Sequence, residues 1–296
     1  MPIGAIVVVA AVLLGAGGAY YAGAFEFLAM RRYDDQAALR QLWSSGRYED
    51  LIEEAESVLD GTPLDPSALV YGGFAYFYGG LGQVDAEDRM RYLSRATVLM
   101  RKALHLDYAP LRAEIHYVLG KTYYHRGSSY HDLVIEHLQR AVEMGYEATD
   151  TYEYLALAYT DLGEYDASAQ SLRTAIDRNP SDVLYFTLGE VQARAERYSQ
   201  AISALETAIA MSSDRVLTER ARFALGDVLT EAERYDEAEA VYREILDANP
   251  DSADAHYHIG NIHEIRGSAE QARFEWREAF RLDPNHAEAL RKLQNN

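Results

Sequence analysis

The feature that most constrains this 296-residue chain is a pair of residues, large then small, that returns at near-regular intervals. It stands at Leu119-Gly120, Leu155-Ala156, Leu188-Gly189, Leu225-Gly226 and Ile259-Gly260, with spacings of 36, 33, 37 and 34 residues. Such a period means one supersecondary unit repeated, each copy too small to bury its own apolar face. The clearest copy runs from Glu219 to Pro250 and scans as two amphipathic helices broken at Glu233-Arg234-Tyr235. Pro250 lacks an amide hydrogen and disfavours the helical conformation at Asn249, so the second helix stops there. Asp251 or Ser252 can then cap the next one. The small residues Gly226 and Ala238 let the two helices touch, while Tyr235 and Tyr242 fill the space toward the next hairpin.

The same spacing extends in both directions. Tyr152, Leu155, Tyr159, Tyr165, Leu172, Ala175 and Pro180 make one copy. Tyr185, Leu188, Gly189, Tyr198, Ala201, Leu205 and Ala208 make the next, with Ser213 where a proline is expected. After the clearest copy come His256, Ile259, Gly260, His263, Ala272, Trp276, Ala279 and Pro284. Upstream, His116, Leu119, Gly120 and Tyr123 open a copy whose second half, Tyr130 to Met144, carries two extra residues. Before that the pattern frays: Pro66–Tyr78 and Asp88–Leu106 scan as helices around a glycine-rich link, and Asp34–Leu59 lacks the Leu-Gly pair.

These residues resemble the tetratricopeptide repeat, whose period is 34 and whose pattern is W-x2-L-G-x2-Y, A-x3-F, P. The resemblance implies an all-α chain, a right-handed α-solenoid of about seven such helical hairpins preceded by one transmembrane helix. The expected divisions are an anchor at 1–30, two degenerate hairpins at 31–110, five repeats at 111–286 and a closing helix at 287–296.

The anchor is read from the N-terminal stretch. Ile3 to Phe25 is 23 consecutive uncharged residues, roughly 35 Å as a helix and enough for a ~30 Å hydrocarbon core. Tyr20, Tyr21 and Phe25 fall at its end, where amphipathic aromatics favour the interface. Ala22-Gly23-Ala24 would suit cleavage of a signal peptide, but no basic residue precedes Arg31. Arg31, Arg32, Arg40 and Arg47 all follow the span, which places the C-terminal bulk in the cytoplasm by charge bias; export is the alternative. Ala11, Gly15, Ala19 and Gly23 form a small-residue stripe of the kind through which transmembrane helices associate, so the expected partners include the lipid bilayer and a second copy of the chain.

Charge and composition narrow the function. With 28 basic against 47 acidic residues the net charge is −19, which repels phosphate backbones and argues against nucleic acid. The absence of cysteine removes disulfides, thiol nucleophiles and thiolate-bound zinc. Gly120-Lys121-Thr122 looks like the end of a phosphate-binding loop, but Ile115 stands where its first glycine belongs. His256, His258 and His263 invite a metal reading, yet there is no His-Glu-x-x-His motif, and His256 and His263 fall at packing positions. The expectation is therefore no catalytic residues, no metal and no cofactor.

What remains is partner binding. In repeats of the resembled type, the fifth residue of each first helix and the residue four further on face the binding groove. The first set here is Tyr117, Glu153, Phe186, Phe223 and Tyr257; the second is Lys121, Leu157, Glu190, Asp227 and Asn261. Aromatic and acidic together, they suit an apolar or basic peptide segment. A subclass of the resembled family clamps a carboxylate with lysines and asparagines at these places; only Lys121 and Asn261 fit that chemistry. The implied function is a membrane-anchored scaffold that assembles protein partners, with an outward-facing adaptor of an envelope or motility complex as the alternative. Tyr71-Gly72-Gly73-Phe74-Ala75-Tyr76-Phe77-Tyr78 reads either as a second contact surface or as repeat core, with core preferred.

Overall fold

The structure is a computed structural model and describes residues 37–295. Ile3–Phe25, with Ala11, Gly15, Ala19 and Gly23, lies outside the described residues. Among the described residues no helix is long and apolar enough to cross a membrane.

Among those residues every regular element is helical. Residues 37–44 (α1) lead into α2 (Tyr48–Gly61), then α3 (Pro66–Leu81), α4 (Ala86–Leu104), α5 (Arg112–Arg126), a 3-10 turn (Ser128–Tyr130) and α6 (His131–Glu143). There follow α7 (Thr151–Asp161), α8 (Tyr165–Arg178), α9 (Asp182–Arg194), α10 (Tyr198–Met211), α11 (Arg215–Glu231), α12 (Tyr235–Ala248), α13 (Ala253–Ile265), α14 (Ala269–Leu282) and α15 (Ala287–Asn295). The chain divides into two compact units, one ending at Glu147 and the other beginning at Ala148. In the first, α3 packs on α4 and α5 on α6; in the second, α7–α8, α9–α10, α11–α12 and α13–α14 pair, and α15 packs on α14.

Two kinds of helix follow from two kinds of pattern. Second helices bury one stripe: Val134, Leu138 and Ala141 in α6, Ala238, Tyr242 and Ile245 in α12, Ala272, Trp276 and Ala279 in α14. The first helix α3 has neighbours on several sides and buries twelve of its sixteen residues. That accounts for the aromatic run: Tyr71, Phe74 and Phe77 are core, while Tyr76 and Tyr78 are half-buried. Trp43 packs against Tyr71, Phe74 and Tyr78, and the Tyr76 hydroxyl donates to Glu56, which also takes a two-pronged bond from Arg95.

Five of the helix-to-helix turns share one capping motif. In α11 the amide of Glu233 donates to the Thr230 carbonyl and that of Arg234 to Leu229, closing two orphan carbonyls of the helix end. The motif recurs at Gly46, Gly163, Glu196 and Gly267. It requires a positive φ: glycine supplies it at three sites, whereas Glu196 (57°) and Glu233 (60°) adopt it with a side chain attached. Helices α3, α4, α9, α11 and α13 begin with a side-chain cap: Asp65 accepts from Ala68, Asp85 from Glu87 and Asp88, Ser181 from Leu184, Asp214 from Val216 and Ser252 from Ala255. Of the two residues able to cap α13, Ser252 does so.

The small residue of each pair is needed sterically. A Cβ at Gly226 would lie 2.5 Å from Cζ of Tyr242, and one at Gly260 2.6 Å from Cδ1 of Trp276. At Gly120 and Gly189 the obstructing side chains are Leu138 and Leu205. Hairpin α3–α4 solves the problem with Gly72-Gly73, where a Cβ at Gly73 would meet Met100 Cγ at 2.6 Å.

Candidate partner-binding surface

The residues expected to face a groove fall in both units, and each unit is described by itself. In the first, Tyr117 and Lys121 of α5 are 5% and 7% exposed. Lys121 Nζ donates to the Tyr117 hydroxyl at 3.0 Å and lies 5.1 Å from the Tyr117 ring and 5.9 Å from that of Phe77. Tyr146 packs on the other side of Tyr117, with ring centroids 5.3 Å apart. One helical turn brings Lys121 back over Tyr117, and a cation over aromatic faces is attracted by their quadrupoles. The pair is thus buried against its own neighbours.

In the second unit Phe186 is 5% exposed and belongs to the apolar core, with the Arg220 guanidinium 5.0 Å from its ring centroid. Glu190 is half-buried one turn on. The remaining four residues lie on α11 and α13, which meet where Phe223 and Asp227 contact His258. Phe223 and Asp227 are a turn apart on α11, and Tyr257 and Asn261 are a turn apart on α13. Phe223, Tyr257 and Asn261 are half-buried and Asp227 is exposed.

Three residues that position counting does not select complete this wall. Tyr242, buried to 1%, lies on Gly226 and sends its hydroxyl to Asp227 Oδ1 at 2.6 Å. His258 stacks on Tyr242, with centroids 4.9 Å apart and planes at 21°, and its Nδ1 is 3.3 Å from the same Oδ1. Phe223 packs 6.2 Å from Tyr242 and 6.0 Å from His258. Trp276 repeats the Tyr242 device: it lies on Gly260 and donates its indole N–H to Asn261 Oδ1 at 3.3 Å. The legible signal was an aromatic with a polar tip sixteen residues after the small glycine, paired with a polar acceptor immediately following that glycine.

The electrostatics follow from burial. The Tyr242 phenol is pushed well above its ordinary range, first by desolvation and then by the Asp227 carboxylate. His258 is pushed down because burial outweighs the attraction of Asp227 and Asp254, with His286 adding repulsion. His286 Nδ1 accepts from the Ala289 amide, capping α15, and its Nε2 approaches Asp254 at 3.3 Å. The other two histidines raised as metal candidates are elsewhere: His256 bonds Glu275 at 2.6 Å, and His263 is buried. Among the described residues no group of three or more His, Asp or Glu is placed to hold a metal. A 470 Å³ cleft at Glu164, Asp166 and Arg197 lies away from this wall, and its acid and base are consumed in an Asp166–Arg197 ion pair.

The tetratricopeptide-repeat family profile matches residues 135–183, 186–252 and 223–287, together just over half the chain. The chain belongs to the tetratricopeptide-repeat family. Among solved structures, the C-terminal part of a TPR repeat-containing protein from Cytophaga hutchinsonii is similar at a TM-score of 0.66 and 14% identity, covering 87% of this chain and 99% of that one. A Naa15/Naa10 complex bound to HypK is similar at 0.59 and 14%, over 90% of this chain and 39% of that one. MamA is similar at 0.52 and 22%, over 60% and 94%. At these identities the likeness is one of fold. No curated protein matches the chain. As a tetratricopeptide-repeat protein the chain has the architecture of a family that binds protein and peptide partners.

Proposed function

We propose that this tetratricopeptide-repeat protein is a non-catalytic scaffold that is anchored in a membrane by Ile3–Phe25 and binds partner proteins through the first-helix faces of its repeats. The observation that carries the binding reading is the wall of the second unit. There Phe223 and Tyr257 are half-buried rather than sealed, beside the exposed Asp227. Rings fixed by their neighbours offer contact area at low entropy cost. The acidic company favours apolar or basic segments. The Naa15/Naa10 chain of the same fold is held in a complex with protein partners.

The anchor is supported by the uncharged run alone, and the arginines beyond it favour a cytoplasmic repeat domain. The small-residue stripe Ala11, Gly15, Ala19 and Gly23 supports association of anchors in the bilayer. An exported adaptor is the alternative, and a reporter active only outside the cytoplasm, fused after Asn296, separates the two: strong activity overturns the cytoplasmic placement. Binding is tested by crosslinking and pull-down from membranes with the intact chain. Phe223→Ala with Tyr257→Ala should lose the major partner, whereas Phe274→Ala, exposed on the second helix α14, should keep it. Retention of every partner by the double variant overturns the groove reading.

A further inference from the structure

The carboxylate of Asp227 is held in an unusual way. Both of its protein contacts, the Tyr242 hydroxyl at 2.6 Å and His258 Nδ1 at 3.3 Å, fall on Oδ1. Oδ2 makes no hydrogen bond to the described residues, and the side chain is 52% exposed. Neither lysine nor arginine is paired with it among the described residues, in a unit where most of the other ion pairs join arginine to an acid. Its holder cannot drift: the Tyr242 ring is pressed onto the Gly226 backbone on one side and stacked on His258 on the other. The result is a fixed carboxylate oxygen facing solvent, set against the rings of Phe223, Tyr242 and His258.

We infer that this wall is the anchoring subsite for one cationic side chain, a lysine or arginine of a peptide partner; the inference rests on the groove reading above. A carboxylate alone would accept any donor, but the half-buried Phe223 ring one turn from Asp227 narrows the choice, while Tyr242, covered on both faces, serves to hold the acid. A cation within about 6 Å of an aromatic centroid is attracted by the ring face, and the long stems of lysine and arginine cover apolar surface as the head reaches the acid. An anionic side chain meets repulsion from Asp227 and from Asp254, which lies against His286 in the same face. Because Oδ1 is already committed and the rings are already packed, little ordering remains to oppose binding.

The test uses the full chain and a random dodecapeptide library displayed on phage, followed by calorimetry with the selected peptides made synthetically. Selected peptides should share a lysine or arginine. Replacing that residue by norleucine, or the protein's Asp227→Asn, should each weaken binding by about tenfold or more, as expected for a charge-assisted hydrogen bond. Combining the two should weaken it little further. Asparagine still offers Tyr242 a carbonyl oxygen, so the fold is retained, and unchanged amide exchange in α12 checks this. Peptides that bind Asp227→Asn as tightly as the parent, yet are lost in Phe223→Ala with Tyr257→Ala, overturn the cation subsite and leave the groove standing. A library with no binder, or binders indifferent to all these changes, overturns both.

Discussion

Adding one methyl group at Gly226 is expected to cost far more than adding it at Gly189, although both occupy the same place in their repeats. In Gly226→Ala the new carbon would lie 2.5 Å from Cζ and 2.6 Å from Cε1 of Tyr242, so the ring must move by about 1 Å. It has nowhere to go, because its hydroxyl is bound to Asp227 and its other face to His258. Overpacking of this kind costs about 1–3 kcal/mol, offset by the ~1 kcal/mol that alanine gains over glycine in a helix. The net loss is up to about 2 kcal/mol, or a fall of up to about 1 M in the urea midpoint, the upper end applying because the ring is pinned on both sides. At Gly189 the obstructing atoms are the branched end of Leu205, which can turn aside, and the two terms roughly cancel. Nature has made this comparison once: the α7 repeat already carries Ala156, buried in one cluster with Leu172. Gly226→Ala with Tyr242→Leu copies that pair and should recover part of the loss. Equal stability of the two single variants, or a double variant worse than Gly226→Ala alone, refutes the packing argument.

Three further outcomes follow from the structure. Glu233→Gly and Glu196→Gly relieve a side chain held at positive φ; each should raise the urea midpoint by an amount equivalent to about 0.5–1 kcal/mol, the ~1–2 kcal/mol strain being offset by the more flexible unfolded chain. Gln192 is 1% exposed, and neither its Oε1 nor its Nε2 has a hydrogen-bond partner among the described residues. Gln192→Leu should therefore stabilise by about 1–2 kcal/mol in thermal melts. In the first unit His116 and His137 join Nδ1 to Nδ1 at 2.8 Å, and burial, with repulsion from His137 on His116 and from Arg101 on His137, holds both pKa values down to about 4. The unfolded state then binds more protons between about pH 6.5 and 4, so stability is full above that window and falls through it on acidification. Between pH 7.5 and 5.5 the pair should lose about 1–2 kcal/mol after allowance for solvent screening of half-exposed rings, read as faster amide exchange in α5. His116→Asn with His137→Gln should remove that pH dependence.

The hairpin cadence was readable where backbone chemistry forces it. Asn179-Pro180 and Asn249-Pro250 end helices wherever they occur, and a glycine facing a bulky residue sixteen positions on marks a contact of two helices. Hairpin α3–α4 was harder because its covering residue, Met100, comes twenty-seven positions after Gly73; the longer link hid the pair. The partner face was legible as a set of positions but not as a surface. Counting along a helix fixes which way Phe186 and Phe223 point, but not what comes to lie on them. Arg220 covers Phe186 and Lys121 fills the space above Tyr117, and both contacts depend on how neighbouring turns settle. His258 stacks on Tyr242 because the preceding hairpin brings that ring to it.

The hidden interval in the first unit has an engineering consequence. The distance from small residue to cover is sixteen in all four repeats of the second unit, eighteen from Gly120 to Leu138 and twenty-seven from Gly73 to Met100, while the helices still meet. The extra length is carried by the ends of α3 and α4 with their link and by the 3-10 turn after Gly127, whose added Cβ would meet nothing within 4 Å. Those two places tolerate extra chain without shifting the contact between helices. A short epitope or fluorophore tag inserted after Gln83 or Gly127 should leave every helix in register, whereas the same insertion after Glu233 would tear open a turn that has no slack.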